Sequence, residues 1–234
     1  MLEVSKLSAG YDLDVIHDVS LKVGDGELVA LLGRNGAGKT TTLKAICGMV
    51  RISSGDAKLD GRAITSIRQT DLAESGINLV PEGRRLFPYM NVEENLFVGA
   101  YSKRARDKKD ESLEMVYDLF PVLKTRSHQM ASTMSGGEQQ MLAIARGLMS
   151  RPTVLLLDEP SIGLGPIVFE NILAVVKKIN ESGVAVLIVE QNVALTLEIV
   201  NRGYVMEDGC IVLEGEAEDL TNDEKVKRAY LSIQ

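Results

Sequence analysis

The sequence predicts an α/β fold: a mostly parallel sheet with helices on both faces, an antiparallel β portion at its N-terminal side, and a helical insertion. Three observations carry this expectation. Short apolar runs such as "TVLLLDEP" and "VAVLIVE" alternate with helical patterns, and strands that read as continuous Val, Ile and Leu are those buried on both faces of a parallel sheet. Three β-like stretches precede the first helical pattern. Residues from about 91 to 150 carry helical periodicity alone.

Taken in order, "MLEVSKL", "VIHDVSLKV" and "ELVALLG" alternate or run apolar, with turn residues at Gly10 and at Gly24-Asp25-Gly26. A helix is expected from about Gly38 to Cys47, apolar at Leu43 and Ile46. A strand near "DAKLDG", a short helix around "RQTDLAES" and a strand closed by Pro81 follow. In the helical block, Asn91 and Glu94 have the spacing of a capping box. Leu113, Val116, Tyr117 and Phe120 fall on one helical face. The charged run "SKRARDKKDE" between these two helices reads as a solvated loop. Beyond Pro152 the alternation resumes: Pro166 suits the first turn of a helix carrying Ile172, Val175, Val176 and Ile179, and Gly183 ends it. A helix from about Asn192 leads to a hairpin turning at Asp208-Gly209.

Bulk properties fit one domain over residues 1–234, with about 91–150 inserted. The net charge of −7 argues against wholesale binding of nucleic acid, which needs a basic face. No apolar run has the length of a membrane span, and the first residues lack a signal-peptide design. The chain is therefore expected in the cytoplasm, meeting a membrane only through a partner. Cys47 and Cys210 are both expected to be small apolar core residues in a reducing compartment.

Two stretches carry chemistry. Gly33-Arg34-Asn35-Gly36-Ala37-Gly38-Lys39-Thr40, followed by Thr41, lies between a strand and a helix and matches G-x-x-x-x-G-K-[ST]. Glycines let backbone N–H groups converge on phosphate oxygens, and the helix N-terminus adds partial positive charge. Lys39 would reach the β- and γ-phosphates, and the Thr40 hydroxyl would ligate Mg²⁺. Asp158 ends a buried strand, where a carboxylate is costly unless it has an ionic partner or a metal. Glu159, expected to point the other way, can take a proton from an attacking water. These residues define a P-loop NTPase core. No guanine-reading N-K-x-D segment is present, so Mg²⁺ and ATP are the expected cofactors, with hydrolysis.

The second stretch is "MSGGEQQM", another glycine pair opening a helix. The order Tyr11, cradle, Ser135-Gly136-Gly137-Glu138-Gln139, "LLLDEP" resembles the ATPase subunit of ABC transporters over essentially the whole chain. The resemblance implies that Tyr11 stacks on adenine. It also implies that two such domains sandwich two ATP molecules, each held by the cradle of one domain and the Ser135–Gln139 signature of the other.

Three positions depart from the common family pattern. Glu82 stands where a Gln touches Mg²⁺ and the membrane partner, Gln191 where a His senses the γ-phosphate, and Gly165 where an Asp is usual. Glu82 can still ligate Mg²⁺. Gln191 can donate to phosphate but cannot become cationic. Together with "VPEGRRLFP" and "VEQN", these departures resemble the paired ATPases of branched-chain amino-acid importers, with importers of urea, amides or other amino acids as the alternative. The resemblance implies a second ABC ATPase as partner, usually a different chain, although a homodimer can form in isolation. It further implies permease subunits docked near Glu82 to Glu94, with Phe87, Pro88 and Tyr89 in contact, on the inner face of the cell membrane. A non-transport ABC protein or a nucleotide-gated binding module are the rival readings, disfavoured by the spacing of the motifs and by Glu159.

Overall fold

The structure is a computed structural model and describes residues 1–231. β1 (Leu2–Gly10) and β2 (Asp14–Val23) pair antiparallel. Leu2, Val4, Leu7 and Ala9 face inward with Ile16, Val19, Leu21 and Val23, the period-two burial of a sheet with one wet face. β3 (Leu28–Leu32) is buried at every residue. It leads through the glycine-rich loop into α1 (Lys39–Ile46). β4 (Arg51–Leu59), longer than expected, returns antiparallel to β1, and β5 (Arg62–Ala63) closes a four-stranded sheet of order β2-β1-β4-β5.

α2 (Gln69–Ser75) and β6 (Ile77–Val80) lead to the helical block: α3 (Val92–Gly99), α4 (Lys103–Arg106), α5 (Lys109–Leu119), α6 (Pro121–Thr125) and α7 (Gly136–Leu148). The Asn91–Glu94 capping box forms as predicted. The charged run departs from expectation, since four of its residues form α4. Ser102 accepts from the Ala105 N–H as N-cap, and Ala105 is fully buried beneath the charges. A single small residue in a charged stretch leaves too little periodicity to read.

Then come β7 (Val154–Asp158), α8 (Pro166–Glu181), β8 (Ala185–Glu190), α9 (Val193–Leu197), β9 (Arg202–Glu207), β10 (Cys210–Glu216), α10 (Ala217–Asn222) and α11 (Glu224–Val226). Pro166 sits in the first turn of α8, as predicted. The second sheet has the order β10-β9-β3-β8-β7-β6, parallel except for the β9–β10 hairpin. Asp208 and Gly209 both have positive φ in that hairpin's turn, 45° and 80°, as a two-residue turn between twisted strands requires. Cys47 is buried and its thiol is pushed up to about 12 by burial. Cys210 is exposed, against expectation; it lies at the outermost position of a hairpin strand that alternates exposed and half-buried residues.

The alternation along β3 divides the core. Val29 and Leu31 pack with Leu43, Ala45 and Ile46 of α1 and with the antiparallel sheet. Leu28, Ala30 and Leu32 pack with the cluster that includes Leu142 and Ile144 of α7 and Ile172 and Val176 of α8. Each such fully buried aliphatic side chain contributes about 1.5–3 kcal/mol. The helix after the cradle and the helix after "MSGG" are therefore anchored on opposite faces of one sheet. Among the described residues no helix is long and apolar enough to cross a membrane.

Candidate active site

The loop between β3 and α1 is shaped by backbone conformations that a side chain would forbid. Gly38, the N-cap of α1, has φ 104°, and a Cβ there would lie 2.9 Å from Ile16 Cγ2. A Cβ on Gly33 would lie 2.4 Å from the Met206 carbonyl. The loop is floored by the β9–β10 turn, whose Gly209 N–H donates to the Ala37 carbonyl at 3.0 Å. No side chain caps α1, so the first N–H groups of the helix are left to whatever anion the loop receives. Arg34, Asn35 and Gly36 are exposed at the rim, and Thr41 is buried.

Lys39 is 3% exposed. Its Nζ donates to the carbonyls of Gly33 (2.9 Å) and Arg34 (3.0 Å) and pairs with Glu159 Oε1 at 3.0 Å. The Thr40 hydroxyl donates to Asp158 Oδ1 at 2.8 Å. Asp158 is 3% exposed. Burial pushes its carboxyl up, the Thr40 hydrogen bond pulls it down, and Glu159 and Glu82 push it up again. A buried carboxylate crowded by two others is a place where a cation is favoured. Thr40, Glu82 and Asp158 line one cleft of about 420 Å³ together with Lys44 and Arg85. Among the described residues no three His, Cys, Asp or Glu side chains form a metal cluster. Mg²⁺ needs none, because it is held by one or two carboxylates plus a hydroxyl and substrate phosphates. A larger cleft, about 530 Å³, lies by Lys22, Arg202 and Tyr204 with no cradle residue on its wall; size does not mark the site here.

Strand alternation does not orient Glu159. β7 ends at Asp158, and Glu159 takes φ 44°, a left-handed conformation that costs a non-glycine residue about 1–3 kcal/mol. The Glu159 N–H donates to the Val189 carbonyl at 3.0 Å and holds it there. Both carboxylates consequently reach the same loop, one through Thr40 and one through Lys39. Gln191 is exposed just beyond β8. Tyr11 is 56% exposed in the turn between β1 and β2, and its hydroxyl accepts from Lys44 Nζ at 3.1 Å, which sets the ring beside α1.

The second glycine pair is built differently. Ser135 caps α7: its Oγ accepts from Glu138 N–H at 3.4 Å, while Glu138 Oε2 accepts from Ser135 N–H at 2.9 Å. Glu138 also pairs with Arg126 at 2.9 Å. Its carboxyl is held below the usual range, chiefly by the Ser135 N–H. Gln139 points inward, accepting from Arg84 Nη1 at 3.0 Å and donating to the Ala131 carbonyl at 3.0 Å.

Sequence reading missed Arg84. It lies with Gly83 and Arg85 in a run of three positive φ angles (78°, 65° and 48°), and Arg146 Nη2 donates to its carbonyl at 3.1 Å. It missed Asn95 as well, which is fully buried and bonds the Phe87 N–H and the carbonyls of Phe87, Met90 and Asn91. That side chain pins the loop whose Phe87 and Tyr89 are 43% and 87% exposed. An asparagine inside a helix, four residues after its N-cap, was the available signal.

Residues 16–162 match the family described as ABC transporter. Over 234 residues the chain is 44% identical to the high-affinity branched-chain amino acid transport ATP-binding protein BraG of Pseudomonas aeruginosa, covering 99% of each. The crystal structure of the ADP conformation of MJ1267, an ATP-binding cassette of an ABC transporter, superposes with a TM-score of 0.84 at 25% identity, covering 100% of this chain and 99% of that one. The dimeric structure of MJ0796, a bacterial ABC transporter cassette, does so with a TM-score of 0.79 at 25% identity, over 93% and 99%. The family match over residues 16–162 and the identity over the full length show that the chain belongs to the ABC transporter family.

Proposed function

We propose that this chain is the ATP-hydrolysing subunit of an importer of branched-chain amino acids, working as one half of an ATPase pair on the inner face of the cell membrane. The observation that carries the paired arrangement is the split core: the cradle helix and the "MSGG" helix stand on opposite faces of one sheet. In this reading the two mouths do not converge on one nucleotide, and each Ser135–Gly137 mouth serves the ATP of a partner. The identity to BraG supports the cargo class.

In this reading the uncapped N-terminus of α1 and the loop from Gly33 to Thr41 hold the triphosphate, and Tyr11 lies against the adenine. Lys39 exchanges its carbonyl partners for phosphate oxygens. Thr40 and Asp158, with Glu82 at the cleft wall, would hold Mg²⁺, which supplies neutralisation of phosphate charge when bound. Release of Lys39 to phosphate frees Glu159 to accept a proton from the attacking water. Gln191 donates to the γ-phosphate. Phe87, Pro88 and Tyr89, held out by Asn95, meet the permease.

The test is ATP-driven pairing of the Glu159→Gln chain, followed by uptake of labelled leucine, isoleucine and valine in a strain lacking the gene. Turnover is expected to fall at least ~100-fold with ATP still bound and the pair trapped. A trapped particle holding a single copy would end the paired reading, and unimpaired uptake would end the cargo assignment.

A further inference from the structure

We propose that Glu190 is a positioning residue for hydrolysis, clamping the turn after β7 to the end of β8 and so aiming Glu159 and Gln191 together. This rests on the reading of Glu159 as the hydrolytic base. Glu190 closes β8 and is 0% exposed. Its Oε1 accepts from the Ser161 N–H at 2.9 Å, and its Oε2 accepts from the Ser161 hydroxyl at 2.8 Å and the Gln191 N–H at 3.1 Å. It is held by neutral donors, the Ser161 N–H and hydroxyl and the backbone N–H groups of Gln191 and Asn192.

Such a group would be expensive to bury for structure alone. What it does here is satisfy N–H and O–H donors on two loops at once, a task that needs acceptors at both oxygens. A glutamine cannot perform it, because its NH₂ would face a donor. The two loops are those of the chemistry. Ser161 lies two residues beyond Glu159, in a turn closed by Ile162 N–H to the Glu159 carbonyl (3.1 Å) and Leu164 N–H to the Ser161 carbonyl (3.0 Å). On the other side, the clamp takes hold of the backbone of Gln191 itself. Val189 holds Glu159 through a single hydrogen bond of 3.0 Å, and Glu190 adds two more at Ser161. Without them the left-handed Glu159 can relax, and a displacement of about 1 Å at a reacting group costs on the order of 100-fold in rate.

The experiment compares Glu190→Gln, Ser161→Ala and Ser161→Thr with the unaltered full chain. ATP affinity, KM, kcat and melting temperature are measured for each. Glu190→Gln is expected to lower kcat by ~10-fold or more, since removing acceptors misplaces the base, with KM and ATP affinity within about two-fold because no cradle contact changes. Ser161→Ala is expected to lower kcat less, and Ser161→Thr to restore it. The double variant should lose no more than Glu190→Gln alone, because the two side chains act as one unit. Full turnover in Glu190→Gln would overturn the inference. So would a loss of kcat and ATP affinity in step with the melting temperature. Glu159→Gln, run beside them, separates the two readings: if it keeps full turnover, the base assignment fails whatever Glu190 does.

Discussion

The cradle helix α1 and the "MSGG" helix α7 both open on glycine, and their mouths are finished in opposite ways. At α1 the N-cap is a left-handed glycine with no side chain over the free N–H groups. At α7 the mouth is closed by its own residues, Ser135 and Glu138 each capping the other's N–H. The first offers uncapped N–H groups to an anion, with the Lys39 side chain changing partners as one enters. The second is folded and stable by itself, so an anion arriving there must share or displace a carboxylate. On the proposed function, tight holding at the first mouth and conditional engagement at the second would make pairing, and not nucleotide binding, the switched event.

The widest gap between the two mouths should appear with alanine. Gly38→Ala puts a Cβ on φ 104° and 2.9 Å from Ile16 Cγ2. Left-handed strain of about 1–2 kcal/mol adds to overpacking of about 1–3 kcal/mol, so calorimetry should show a melting point lower by several degrees and titration no ATP binding. The Cβ of Gly136→Ala would lie 3.1 Å from the end of the long Arg84 side chain and not against backbone. This substitution should leave the melting point and ATP affinity unchanged, yet weaken ATP-driven pairing of the Glu159→Gln chain by roughly ten-fold, the scale of one or two lost hydrogen bonds. Equal effects of the two substitutions would erase the distinction.

A smaller effect sharpens it. Glu138→Gln keeps an acceptor for the Ser135 N–H but removes a negative charge from the signature mouth. Pairing on ATP should tighten a few-fold, on the order of 1 kcal/mol, by sedimentation at fixed nucleotide. The smallest effect is one of pH. The Glu138 carboxyl is held below its unfolded value, so its contribution is present above the ordinary carboxylate range and lost as pH falls through the folded value. The melting point should therefore drop slightly more steeply between about pH 3 and 5 in the unaltered chain than in Glu138→Gln, whose α7 cap does not titrate.

The cradle was legible before any coordinates because its residues are contiguous and each has one plausible task. The β3–loop–α1 passage and the runs around Asp158 follow from burial and glycine alone. Glu159 was misread as to direction: alternation applies inside a strand, and the strand stops one residue short. Glu190 and Ser161 were illegible because they stand 29 positions apart, and only the parallel pairing of β7 with β8 makes them neighbours. Arg84 escaped for a similar reason. Nothing in "PEGRRLF" says that one arginine turns toward Gln139 of a helix 55 positions later.

The floor of the phosphate loop has a consequence for how the protein is made. Ala37 is held by Gly209, and the strand that launches the loop lies between β8 and β9, both synthesised more than 150 residues later. The glycine-rich loop therefore leaves the ribosome well before the strands that flank β3. Such distant pairings fold slowly, so a truncated or stalled nascent chain carries every letter of the phosphate motif without its shape, and an ATP-agarose resin would retain the finished product while letting the unfinished one pass.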